Sequence, residues 1–286
     1  MAESTSVDEK QKRNEEYLRD SVYKLDKQGL LIIIDQRTIE GKELVNSNEQ
    51  DIEKIKETFK NLGFHVYGED KDEKNFRDLK AHNIITRFQN TVKAKSAENK
   101  YDCLVVFVLS HSPEKNHVSA ADGNYAIEAL FESIQEYFVS KPKVFFFRTP
   151  VLEKETLESA NTAIVVSSDD EEEDADVLKN KPTPPVKGKG TSVVIPQRAD
   201  YMVVINSHPF VEVSATEVQS EFIKKLTDYI NENSTKDDNS IKDLMSILTR
   251  VQANLSYSTQ WQQKAGMMPL RLTYSTLTKK LILKKK

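Results

Sequence analysis

The chain has 286 residues, 38% of them hydrophobic and 30% charged, with a formal net charge of -4 at pH 7. That is enough apolar material for one large core or two modest ones, and the near-neutral balance gives no global pull toward nucleic acid. The single cysteine, Cys103, excludes a disulfide framework and a multi-cysteine metal site.

No apolar run approaches the ~20 residues that span a bilayer. The opening "MAESTSVDEKQKRNEEY" is charged and lacks the apolar stretch of a signal peptide. The expected location is therefore the cytosol, with no cofactor, no metal, and neither nucleic acid nor membrane as a partner.

Strands and helices alternate from the first apolar run. "LLIII", Leu30 to Ile34, reads as a strand covered on both faces. A helix follows, with Asn48 as its expected N-cap, Glu49 and Asp51 in the first turn, and Ile52, Ile55, Phe59 and Leu62 at helical spacing before Gly63. "FHVYG" (Phe64 to Gly68) is a second strand. Phe76, Leu79, Ile84, Ile85 and Phe88 predict a second helix. "CLVVFVLSHS", Cys103 to Ser112, is a third buried strand that ends on a histidine. Ile127 to Phe138 has helical period, and Val144 to Phe147 is a fourth strand, entered from Lys141-Pro142-Lys143 and left through Arg148-Thr149-Pro150.

The periodicity then stops. From about Ser159 to Gln197 the chain carries the acidic block "SSDDEEEDAD" and "KPTPPVKGKG", which hold too little apolar surface to offset ordering. Order resumes with a strand at Tyr201 to Asn206 and a helix through Val218, Phe222, Ile223, Leu226 and Ile230. A helix over Ile241 to Leu255 and an alternating strand in "LRLTYSTLTKKLIL" complete the series. Six strands with intervening helices predict one α/β sandwich interrupted after its fourth strand.

The ordered segments "YKLDKQGLLIIID", "ETFKNLGFHV", "VVFVLSHS", "KPKVFFF", "YMVVIN", "SILTRV" and "STLTKKLIL" together resemble the caspase family of cysteine proteases, from about Tyr23 to Leu283. The resemblance implies a three-layer α/β/α sandwich around a mostly parallel six-stranded sheet. It also implies a short disordered segment over 1–22, too short for a recruitment prodomain, and a large-subunit-like region over 23–158. An intersubunit linker would cover 159–197 and a small-subunit-like region 198–286. Within the linker, Asp174 before the small residue Ala175 resembles a caspase cleavage site.

Carried over residue by residue, the family's chemistry is missing its parts. Arg148, Thr149 and Pro150 stand where the family has Gln-Ala-Cys, so the nucleophile position holds proline, without a thiol or a backbone N–H. His111 retains the general-base position. Ser112 replaces the glycine that follows it, which alters the other half of the oxyanion hole. The pocket that holds a substrate aspartate with two arginines and a glutamine is degenerate. Its positions fall on Val45, Ala215 and Arg148, and the last is expected to be solvated. His111 is expected as a partly exposed relic, and Cys103 as core packing.

The family likeness implies no cofactor and a partner that is an active caspase or a second copy. The contact would form through the edge strand Leu270, Arg271, Leu272, Thr273, Tyr274 and Ser275. The expected function is thus that of an inactive homologue, a pseudocaspase modulating apoptosis or related proteolytic signalling. Two alternatives stand beside it: a scaffold or decoy that does not dimerise, and a residual hydrolase using His111.

Overall fold

The computed structural model describes residues 21–39, 42–43, 48–112, 116–149, 199–207, 220–256 and 270–286. Val45, Pro150, Asp174, Ala215 and the segment 159–197 lie outside the described residues.

The architecture is a mostly parallel central sheet with helices on both faces. Its hub is β1 (Gln28–Asp35), which lies parallel to β6 (Tyr101–Leu109). β6 lies parallel to β9 (Lys143–Arg148), and β9 parallel to β10 (Tyr201–Ser207). β11 (Leu270–Ser275) closes one side antiparallel to β10, and β4 (Phe64–Val66) closes the other parallel to β1. The order is β11-β10-β9-β6-β1-β4. Among the described residues the sheet has seven strands, one more than expected, because β5 (Phe76–Arg77) pairs with the far end of β1. Two small hairpins stand apart: β2 (Thr38–Ile39) with β3 (Lys42–Glu43), and β7 (His117–Ala120) with β8 (Gly123–Ala126).

Side chains alternate across a strand, so each apolar run feeds two cores. Leu31, Val105, Phe107, Phe146 and Val204 face α1 (Glu49–Asn61), α4 (Glu221–Ser234) and α5 (Leu244–Ser256). Leu30, Ile32, Val106, Phe145, Phe147 and Val203 face α2 (Ala81–Ala97) and α3 (Ile127–Ser133). Gly29 is required where it stands. A Cβ there would meet the Phe64 ring at 2.1 Å, and that ring is fixed edge-on against Phe59.

Four local expectations are corrected. Asn48 precedes α1 but makes no side-chain capping bond, because its amide is engaged elsewhere. Phe76 is a strand residue, and α2 begins only at Ala81, whose N–H is capped by Asp122 from a distant loop. The predicted helix over 127–138 stops at Ser133. Phe138 then adopts φ +51° while its ring stays buried, so helical spacing was maintained by tertiary burial rather than by helix. The last strand ends at Ser275; beyond it Leu281 and Leu283 plug the core.

The two regions either side of 159–197 share the sheet through six β9–β10 pairs, from Lys143↔Tyr201 to Arg148↔Asn206. Phe145 sits at this junction, edge-on to Phe131 at 5.0 Å and stacked with Tyr201. Phe145→Ala should lower unfolding stability by about 3–5 kcal/mol, measured by urea denaturation; a loss below about 1 kcal/mol would show that the ring is not part of the shared core.

Candidate functional site

In a parallel sheet the carboxyl ends of the strands gather on one side, where irregular chain can hold polar groups. Here β1 ends on Asp35, β6 leads into Ser110 and His111, and β9 ends on Arg148.

The segment after β6 is stitched down. The Ser110 N–H donates to the Arg148 carbonyl at 3.2 Å, and its hydroxyl to the Ser119 carbonyl at 2.7 Å. The Ser119 N–H returns to the His111 carbonyl at 2.9 Å. His111 is consequently 6% exposed, buried rather than the partly exposed relic expected. The Ser112 hydroxyl donates to the His117 carbonyl at 3.0 Å, and Thr149 is buried at the end of β9. Cys103 lies in mid-sheet, where burial pushes its thiol up to about 12, far from a reactive thiolate.

Arg148 departs most from expectation. Its side chain is 14% exposed and points into the protein. Nη1 donates to Asn48 Oδ1 at 2.8 Å, while Nε stands 3.9 Å from Asp51 Oδ2. Asn48 passes the connection on, its Nδ2 donating to Asp35 Oδ1 at 2.9 Å. Asp35 Oδ2 accepts from Arg37 Nε at 2.9 Å and Arg77 Nε at 3.1 Å. Asp51 Oδ1 accepts the Ser220 N–H at 2.9 Å, from the residue that caps α4. One polar chain thus runs Arg77–Asp35–Asn48–Arg148–Asp51–Ser220, across the ends of β1 and β9 and the starts of α1 and α4. Gln36 lies buried next to Asp35, both its amide atoms without a partner among the described residues.

Burial sets the electrostatics. It pushes the Asp51 carboxyl above its usual range, against the opposing pull of Arg148 and the Ser220 N–H. It lowers Arg148, offset by Asp51 and Asp35. A guanidinium stays charged regardless, so Arg148 remains a cation held by one near carboxylate and one amide.

Sequence reasoning placed Arg148 at the strand end and missed its partners. Asp51 was noted only as a first-turn acid and Asn48 only as a cap. The available signal was Asp35, a carboxylate closing an unbroken apolar strand, which requires cations or donors nearby. Leu272, Thr273, Tyr274 and Ser275 lie on β11 as the sequence implied, with Leu270 and Arg271 at its start; Thr273 accepts from Gln252 Nε2 at 2.8 Å. Among the described residues β11 has a single strand neighbour, β10.

A family model described as the caspase domain (Peptidase_C14) matches residues 28–282, and the chain belongs to the caspase family. Among solved structures it is similar to that of pro-sf-caspase-1, at 22% identity and a TM-score of 0.65, over 93% of this chain and 95% of the other. It is also similar to caspase-1 from Spodoptera frugiperda, at 21% identity and a TM-score of 0.62, over 93% and 96%. At that identity the likeness carries the fold alone. No match was found among curated protein sequences. No helix among the described residues is long and apolar enough to cross a membrane.

The Arg148–Asp51 pair makes a prediction with a sign. Arg148→Gln strands a buried carboxylate and should cost about 3–5 kcal/mol at pH 7. A carboxyl whose folded pKa is raised costs stability above that pKa and is relieved as pH falls toward its unfolded value near ~3.9. The variant's deficit should therefore shrink as pH is lowered from 7 to 5, and Asp51→Asn added to it should recover part of the loss. Urea melts of parent, both singles and the double at both pH values check this; strictly additive losses with no pH dependence would show that the two side chains do not act as a pair.

Proposed function

We propose that this caspase-family chain is a pseudocaspase, a non-catalytic homologue that acts by binding an active caspase. One observation carries the proposal. The position that the resemblance assigns to the neutral glutamine of the aspartate pocket holds Arg148, and its guanidinium is turned inward onto Asn48 and Asp51. An arginine spent on internal partners offers a substrate carboxylate neither a neutral amide nor a free fork of donors.

Two features support the same conclusion. Pro150 at the nucleophile position can neither form an acyl-enzyme nor donate a backbone N–H to an oxyanion. The Ser112 hydroxyl, a candidate for residual hydrolysis with His111, is committed to the His117 carbonyl. A general base with no nucleophile proton to take has no catalytic task.

Binding would then occur through β11, the sheet's antiparallel edge. Backbone N–H groups of successive strand residues point to opposite sides, so one of two neighbours must face outward. The partner is an active caspase whose loops the edge contact would order or block.

Purified chain should show no turnover of aspartyl tetrapeptides, and Pro150→Cys should not restore it, because Arg148 still fills its own pocket. Turnover in the parent would end the pseudoenzyme proposal, and rescue by that one substitution would show the pocket to be intact.

Mixing the chain with active caspases and following their cleavage rate tests the binding. Thr273→Pro and Tyr274→Pro between them remove the outward-facing donor, so at least one should abolish the change in rate while still melting cooperatively. Thr183→Pro should leave it intact. Two folded edge variants that still modulate the caspase would sink the edge-strand mechanism in favour of a scaffold.

A further inference from the structure

We propose that His65, Asp70 and Glu73 form a binding site for a divalent transition-metal ion of the zinc class. The site lies at the β4 edge of the sheet, on the side away from β11, and has no part in the caspase-derived machinery.

The three residues each bring one ligand atom within 4.8 Å of the others. Two of them are pre-positioned. His65 is in register with Leu30 of β1, so the sheet fixes its backbone. Its ring lies over Tyr101 at 5.8 Å, and its Nε2 is 3.0 Å from Glu73 Oε1. Glu73 is held through its other oxygen, which accepts the Gly68 N–H at 2.8 Å, while its own N–H closes a turn onto the Asp70 carbonyl at 3.0 Å. Gly68 makes that approach with φ +95°, a conformation open chiefly to glycine. Asp70 is exposed and completes the triangle from solvent.

The position already attracts positive charge. The Lys95 ammonium, reaching over from α2, sits 3.0 Å from Glu73 Oε1, the oxygen His65 also faces. It also stands 3.1 Å from Glu98, the residue that caps the end of that helix. Lys95 can therefore yield Glu73 to a metal and remain paired with Glu98. Lys56 and Lys60 on α1, the nearest other cations in the loop's ion pairs, are taken by Glu69.

The donor set selects the ion. One imidazole nitrogen and two carboxylates suit zinc and its neighbours, whereas magnesium and calcium call for oxygen alone. Three protein ligands leave water to complete a four-coordinate ion, with bonds of roughly 2.0–2.2 Å that a small closure of the triangle supplies. The expectation of no metal site rested on the lone cysteine, which speaks only to thiolate sites.

Full-length chain stripped with a chelator and titrated with zinc chloride tests the proposal, read by calorimetry and by the melting temperature. One saturable equivalent and a raised melting temperature are expected. His65→Gln and the exposed Asp70→Asn should each weaken binding about tenfold or more, and Cys103→Ser should leave it unchanged. Lys95→Gln removes the competing ammonium and should tighten binding by up to about fivefold. A simple ion-pair cluster would give the opposite result, a lower melting temperature and no gain in zinc affinity. Absence of saturable zinc binding, binding unchanged in both His65→Gln and Asp70→Asn, or equal stabilisation by magnesium overturns the proposal.

Discussion

A guanidinium buried at the end of a central strand must find its counter-charge inside the protein, and much of this site's arrangement follows from that need. Arg148 is placed by β9, which has a parallel neighbour on each side and cannot shift without breaking both ladders. Asp51 and Asn48 come to it because α1 packs its apolar stripe on the same sheet and starts at the strand ends. Asn48 can then no longer cap its own helix: its amide oxygen serves Arg148 and its nitrogen serves Asp35. A buried polar chain of this kind is costly when any partner is missing, so these residues are held in one arrangement.

The same chain joins the two regions that flank residues 159–197. Ser220 opens α4 with its N–H on Asp51, and β10 pairs with every residue of β9. At the opposite end of the sheet a second tie repeats the theme. The Tyr23 and Thr278 hydroxyls both donate to Asp200, just before β10, so residues far apart along the chain meet where that strand begins. The Lys143 ammonium is buried close by, donating to the Phe138 and Lys141 carbonyls above the Tyr201 ring, and burial pulls it down to about 8. Polar ties at both rims and two apolar layers between them join the two regions.

The two cores of the sheet and its polar strand ends are built from different residues. The residues that build the layers are apolar and numerous, whereas a cysteine protease's chemistry rests on a few side chains at strand ends. Changing those few would leave the two cores untouched. Arg148, at the end of β9, is faced from within by Asp51, a carboxylate in the first turn of α1.

The sequence by itself determined the sheet. Runs such as Leu30 to Ile34 and Cys103 to Leu109 are apolar at every position, and a strand of that kind is stable only between two covering layers, which fixes the α/β class. It also carried the family likeness, and with it the expected positions of Pro150, His111 and the edge strand. Only the tertiary structure decided where polar side chains turn. Phe76 has helical spacing with Ile84 but pairs with β1 instead, because the free end of that strand offers backbone partners that a short helix turn cannot match. Arg148 reads as a solvated end-of-strand residue until α1 brings Asp51 beside it. Direction and partnership depend on residues ~100 positions away along the chain, and no local pattern of charge or apolarity encodes them.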